Sequence, residues 1–127
     1  MDALYPPENR FSIPIDGHGD DNIIFLIARD AGSAIGCGAL TLYPGYGELK
    51  SIYVRPEARG RRLAAEIVLV LEGMARKAGL EELKLETGIR SPAAIRTYER
   101  LGYRQCGRFG NYPEAPLSIF MEKRIAK

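Results

Sequence analysis

Four arginines, Arg55, Arg59, Arg61 and Arg62, gather around Gly60 where an extended stretch gives way to a helical one. The chemistry that this pattern suits is anion binding. A helix start carries free backbone N–H groups and the positive end of the helix dipole, and a glycine there has no Cβ to hold a phosphate away. The same residues equally suit a solvated helix end, because short motifs also match by chance. A Walker loop is excluded, since no glycine-rich run is followed by Lys and Ser or Thr. Two carboxylates and a phenol sit on elements that could carry proton chemistry: Glu48, Glu86 and Tyr98. The spacing of Tyr98 with Ala94 and Leu101 is also that of an ordinary core aromatic.

The elements that must position these groups read as follows. Gly47 to Val54 is a strand, because Ile52, Tyr53 and Val54 favour an extended backbone and Pro56 keeps Arg55 out of a helix. Leu63, Ile67, Val68, Leu71, Met74, Ala75 and Ala78 then recur at three- and four-residue spacing, a helix with one buried face closed by Lys77 and capped by Gly79. Upstream, the apolar run in Asn22 to Asp30 predicts a strand buried on both faces. Ala31, Gly32 and Ser33 turn it into a returning strand, Ala34 to Tyr43, whose Gly36 and Gly38 weaken it unless something packs closely there. Downstream, Glu82 to Thr87 follows a helix and should lie parallel to the Glu48 strand. Ser91 as N-cap and Pro92 open a short helix ending at Leu101, with Gly102 as its cap. Tyr103 to Cys106 and Leu117 to Arg124 make a closing hairpin across a loop, Gly107 to Pro116, that holds Phe109, Asn111 and Tyr112.

The fold class expected is therefore α/β (α+β): a mixed, mostly antiparallel central sheet with one parallel strand pair and flanking helices. Ligands in such sheets collect at the carboxyl ends of strands where connections diverge. At 127 residues the chain suits one domain. Residues 1–21, rich in Pro, Asp and Gly, form an irregular arm, and residues 22–127 the folded unit. A net charge of +2 with both signs interspersed argues against nucleic acid or a membrane surface as partner. No signal-peptide pattern and no apolar run of about 18 residues is present, so a cytoplasmic protein is expected. Cys37 and Cys106 lack metal-ligand spacing, and His18 in an acidic loop is given no role.

Val54 to Ala64 resembles motif A of the GCN5-related N-acetyltransferases (GNAT), the pattern Q/R-x-x-G-x-G/A that binds the pyrophosphate of acetyl-CoA. Arg59, Arg62 and Ala64 fall on its first, fourth and sixth positions, and Gly60 matches the glycine that commonly follows the first. Arg62 departs from the usual glycine. Ser91 to Tyr103 is similar to the family's motif B, a short helix carrying a tyrosine ahead of a Gly-aromatic pair, here Tyr98 and Gly102-Tyr103. The match runs from about Ala28 to the C-terminus.

The resemblance implies a GNAT-like domain over residues 22–127, with its two central strands splayed apart and the donor held between them. It implies acetyl-CoA as co-substrate, no metal, and transfer of the acetyl group to a primary amine by direct attack. Ile52, Tyr53 and Val54 would hold the pantetheine arm, with a backbone N–H of Ile52 or Tyr53 for the oxyanion. Arg59, Gly60, Arg61, Arg62, Leu63 and Ala64 would cradle the phosphates, and Ser91 stands where the family often has a pantetheine-contacting asparagine. An aliphatic ammonium has a pKa of about 10.4, so a base is needed. Glu48 resembles a glutamate that some members use, through water, and equally suits an ion pair with a nearby Arg or Lys; Glu86 is the reserve. Tyr98 resembles the general acid that returns a proton to the CoA sulfur. Phe109, Tyr112 and Glu114 suit a small-molecule amine with an apolar part.

A rival expectation is a non-catalytic domain of the same fold that binds acyl-CoA or a protein partner. Family members normally carry a strand and one or two helices ahead of the strand that Ile23 to Ala28 resembles. Without them that strand would be a bare sheet edge, which natural proteins avoid. Either Phe11 to Ile15 folds back as a short substitute strand, or a second copy makes a homodimer, or the chain is a truncated product.

Overall fold

The computed structural model describes residues 11–12, 22–59, 62–88, 92–110, 112 and 117–126. Its elements are strands β1 (Phe11–Ser12), β2 (Ile23–Asp30), β3 (Ser33–Tyr43) and β4 (Tyr46–Val54), helix α1 (Leu63–Lys77), strand β5 (Glu82–Gly88), helix α2 (Pro92–Arg100), and strands β6 (Arg104–Cys106) and β7 (Ser118–Arg124). The strands form one sheet in the order β1-β2-β3-β4-β5-β7-β6. Every neighbouring pair is antiparallel except β4 and β5, which α1 joins in parallel. The expected mixed sheet with a single parallel pair is thus the observed one. Of the two covers expected for β2, the substitute strand is present over two residues, Phe11 opposite Ala28 and Ser12 opposite Ile27. Ile13 to Ile15 lie outside the described residues.

Helix α1 forms where the periodicity places it. It ends as the sequence directs: Leu80 N–H donates to the Ala75 carbonyl at 3.0 Å and Gly79 takes φ +86°, the left-handed cap that only glycine adopts without strain. Its apolar side buries Leu63, Ile67, Val68, Leu71 and Ala75 against Leu26, Leu40, Leu49, Leu83, Leu85 and Met121 of the sheet. The same buried side holds a carboxylate, Glu72, which the apolar periodicity does not announce. Helix α2 joins this core through Ala94 and Tyr98, and Leu101 directly after it does the same.

The close packing that Gly36 and Gly38 call for comes from α1 and from β4 beside them. A Cβ on Gly38 would stand 2.7 Å from Ile67 Cγ2 and 2.8 Å from Ile52 Cδ1. Gly38→Ala is therefore expected to destabilise by about 1–3 kcal/mol through overpacking. An unchanged urea midpoint would show that the helix lifts freely off the strand.

One expectation is corrected. Strand β2 is not buried on both faces: Leu26 and Ala28 are buried, while Ile23, Phe25 and Ile27 on the alternate face are only half-buried. The reason is that α1 and the core cover one face of the sheet, and no helix among the described residues covers the other at β2.

Candidate active site

The parallel pair is short. It runs from Gly47 opposite Leu83 to Leu49 opposite Leu85, after which β4 continues to Val54 and β5 to Gly88 without pairing to each other. The parting has a local cause in β4. Cys37 pairs with Tyr53 and Ala39 with Lys50, so Ser51 and Ile52 together stand opposite Gly38 alone. This is a β-bulge, and Ser51 takes a left-handed φ of +57° within it. Bulges add local twist and turn a strand away from its neighbour, which leaves the β5-facing edge of β4 unpaired by any described strand beyond Leu49. The expected pantetheine-binding residues lie along this stretch: Ile52 packs toward the core, Tyr53 is 50% exposed and Val54 is buried.

The carboxyl end of β4 leads through a single helical turn, Pro56–Ala58, to the start of α1. No side chain caps α1, and its first internal bond is Glu66 N–H to the Arg62 carbonyl at 3.1 Å. The N–H groups ahead of Glu66 have no partner within the helix, which is what an anion at a helix start requires. Leu63 is buried and Ala64 half-buried. Arg59 is held toward this end of β4: its Nε donates to the Val54 carbonyl at 3.0 Å and its guanidinium lies 5.8 Å from the Tyr53 ring centre. Arg55 is turned aside instead, into an ion pair with Glu57 at 2.9 Å. Arg62 adopts φ +59°, ψ +24°. A glycine at this position of the motif would meet that left-handed backbone without cost, whereas an arginine there costs about 1–2 kcal/mol. Gly60, Arg61 and Ser91 lie outside the described residues.

Glu48 sits on the sheet face away from α1, one residue before β4 and β5 part, and is only 3% exposed. Its partner among the described residues is no cation. The Tyr112 hydroxyl donates to Glu48 Oε2, and the neighbouring Lys84 ammonium is taken by Glu122 at 2.8 Å. Burial first, then the hydrogen bond and charge of Glu48, push the Tyr112 phenol well above its usual value, so it stays neutral. The Tyr112 ring packs edge-on against Phe109 and Phe120, each with centroids 5.4 Å away. A turn in which Tyr112 N–H donates to the Phe109 carbonyl at 3.4 Å shapes the backbone there. The reserve carboxylate Glu86 accepts from the Ser118 hydroxyl. Glu114 lies outside the described residues.

Tyr98 lies across the sheet from Glu48, in the core on the α1 side. It is 8% exposed and packs edge-on against Tyr103 with centroids 5.8 Å apart. Its hydroxyl makes no hydrogen bond with any described residue, although buried hydroxyls nearly always find a partner. Burial pushes its pKa up to about 12. The structure thus sets the arginine turn, the β5-facing edge of β4 and Glu48 along one strand, and holds Tyr98 of α2 on the opposite face of the sheet from Glu48. The Tyr112–Glu48 bond carried no signal in the sequence beyond the presence of both residue types, because 64 residues separate them.

Central parallel strands that part, with an uncapped helix start at the carboxyl end of the first, are the arrangement that the resemblance to the GNAT family implies. The family model described as the acetyltransferase (GNAT) family matches residues 2–103. An "IAA acetyltransferase" of Azospirillum brasilense is 40% identical over 124 residues, covering 96% of this chain and 81% of its own. A solved structure of a candidate acyl-CoA N-acyltransferase from Klebsiella pneumoniae is similar with a TM-score of 0.82 at 39% identity, over 88% of this chain and 79% of that one. The PaiA N-acetyltransferase of Thermoplasma acidophilum, solved in complex with coenzyme A, shares the fold with a TM-score of 0.72 at 22% identity, over 81% and 61% of the two chains. The chain belongs to the GNAT acetyltransferase family.

Proposed function

We propose that this chain is an acetyl-CoA-dependent N-acetyltransferase acting on the primary amine of a small molecule by direct attack. The observation that carries the reading is the parting of β4 from β5 directly beside the uncapped start of α1. An extended pantetheine arm fits an open strand edge, as an added strand does, and a pyrophosphate fits a helix start. The coenzyme A complex of the Thermoplasma protein supports the same donor here. When bound, acetyl-CoA would supply an activated acyl group and a thiol leaving group. The chain's own part is to hold the donor's phosphates at Arg59 and the α1 N–H groups, to keep a proton on Tyr98 and to accept one at Glu48.

A thermal-shift panel of acetyl-CoA, CoA and ATP, followed by thiol release with a mixed set of amines, tests the reading. Stabilisation by acetyl-CoA and CoA with amine-dependent thiol release is expected. Stabilisation without release from any amine would turn the reading to a non-catalytic acyl-CoA-binding domain. Arg59→Ala is expected to raise the acetyl-CoA dissociation constant about tenfold or more, since a hydrogen bond to a charged group is worth about 1.5–3 kcal/mol. Unchanged binding in a calorimetric titration would move the phosphates away from this turn.

A further inference from the structure

Glu48 is 3% exposed, and among the described residues the group hydrogen-bonded to its carboxylate is the Tyr112 hydroxyl. A general base must reach the proton it removes directly or through one intervening group. Tyr112 is itself half-buried, and so more open than the carboxylate beneath it. We infer that Tyr112 is a proton relay between the acceptor amine and Glu48, a role that rests on the N-acetyltransferase reading.

The step balances. As the amine nitrogen bonds to the acyl carbon it becomes strongly acidic. Its N–H bond breaks and that proton passes to the Tyr112 oxygen, while the Tyr112 O–H bond breaks and its proton passes to Glu48 Oε2. Nitrogen keeps the electron pair, and Tyr112 ends as the neutral phenol it was. The high pKa that burial and Glu48 give this phenol suits the role, because a shuttle hands on one proton as it takes another and never has to exist as a phenolate. The ring is fixed for the purpose between Phe109 and Phe120, contacts that a phenylalanine would keep.

Tyr112→Phe separates a relay from a packing role. Thiol release from acetyl-CoA is measured with ethylamine and with trifluoroethylamine, which is close in size but far less basic, so that its nitrogen gives up its proton to water during bond formation. The expected result is a loss of about 10²-fold with ethylamine, the lower end for general acid–base groups, and a loss at least tenfold smaller with trifluoroethylamine. The melting shift produced by acetyl-CoA should not change. Combining Tyr112→Phe with Glu48→Gln should cost little more than either alone, because the two act as one unit. In the protein without acetyl-CoA, tyrosine-ring NMR reports the bond itself: the resonance lost in Tyr112→Phe should be the one displaced in Glu48→Gln. Equal losses with both amines, full activity of the variant, or an undisplaced resonance would overturn the relay while leaving the transferase reading in place. No thiol release by the wild-type protein with either amine or the mixed set would overturn both.

Discussion

Tyr98→Phe is expected to lower acetyl transfer by about 10²–10⁴-fold, the range typical of a lost general acid, while leaving acetyl-CoA binding and the melting temperature nearly unchanged. The substitution removes one oxygen and keeps the ring that packs edge-on against Tyr103. That oxygen has no hydrogen-bond partner among the described residues, so the folded state loses little with it. Burial pushes the phenol to about 12, which keeps it protonated across the working pH range and so always in the donor state. The same burial makes it a weaker acid than a free thiol at about 8.5. Proton delivery to sulfur is then favourable only while the departing thiolate is itself desolvated and its basicity raised. The loss should appear in kcat and kcat/KM together, the signature of an interaction made in the transition state. A variant with full turnover would return Tyr98 to the core as an ordinary aromatic.

Most of the scaffold around this residue is legible in the sequence because it is specified locally. Helix α1 announces its end through Gly79 and its buried side through apolar spacing, and the parallel setting of β5 follows from the helix that precedes it. Besides the buried Glu72, three features were not legible, for physical reasons. The burial of β2 depends on what covers its second face, which the strand's own residues do not encode. The bulge that parts β4 from β5 puts Ser51 at a positive φ, where no glycine flags the irregularity. The bond between Tyr112 and Glu48 joins a loop to a strand and is set by tertiary packing alone. The site depends on the last two. Residue type marks which side chains could take part, whereas the opening that admits a donor and the group lying on the base come from backbone irregularity and long-range contact.

Glu72→Ala is expected to destabilise by about 3–5 kcal/mol, the cost of breaking a buried charged cluster by removing one member. Glu72 is 1% exposed on the apolar side of α1. It accepts from the Tyr103 hydroxyl at 2.8 Å and lies 3.1 Å from Lys123 Nζ and 3.5 Å from Arg76 Nη2. The cluster ties α1 to β7 and to Tyr103, between α2 and β6. Arg76 is nearly half exposed and water can take over its share. Tyr103, 3% exposed, has no such recourse and Lys123, its side chain 21% exposed, has less of it, and alanine would leave both without their acceptor. If this penalty comes from orphaned polar groups rather than from the strength of the ion pairs, removing the orphans should restore stability. The triple variant Glu72→Leu, Tyr103→Phe, Lys123→Met should then recover most of the loss, because apolar side chains of similar volume replace a buried ionic cluster at little or no cost. Urea midpoints at constant slope measure both changes. A triple variant no more stable than Glu72→Ala would mean that the ion pairs themselves hold α1 in place. A small effect of Glu72→Ala alone would mean that water reaches Tyr103 and Lys123 in the folded protein.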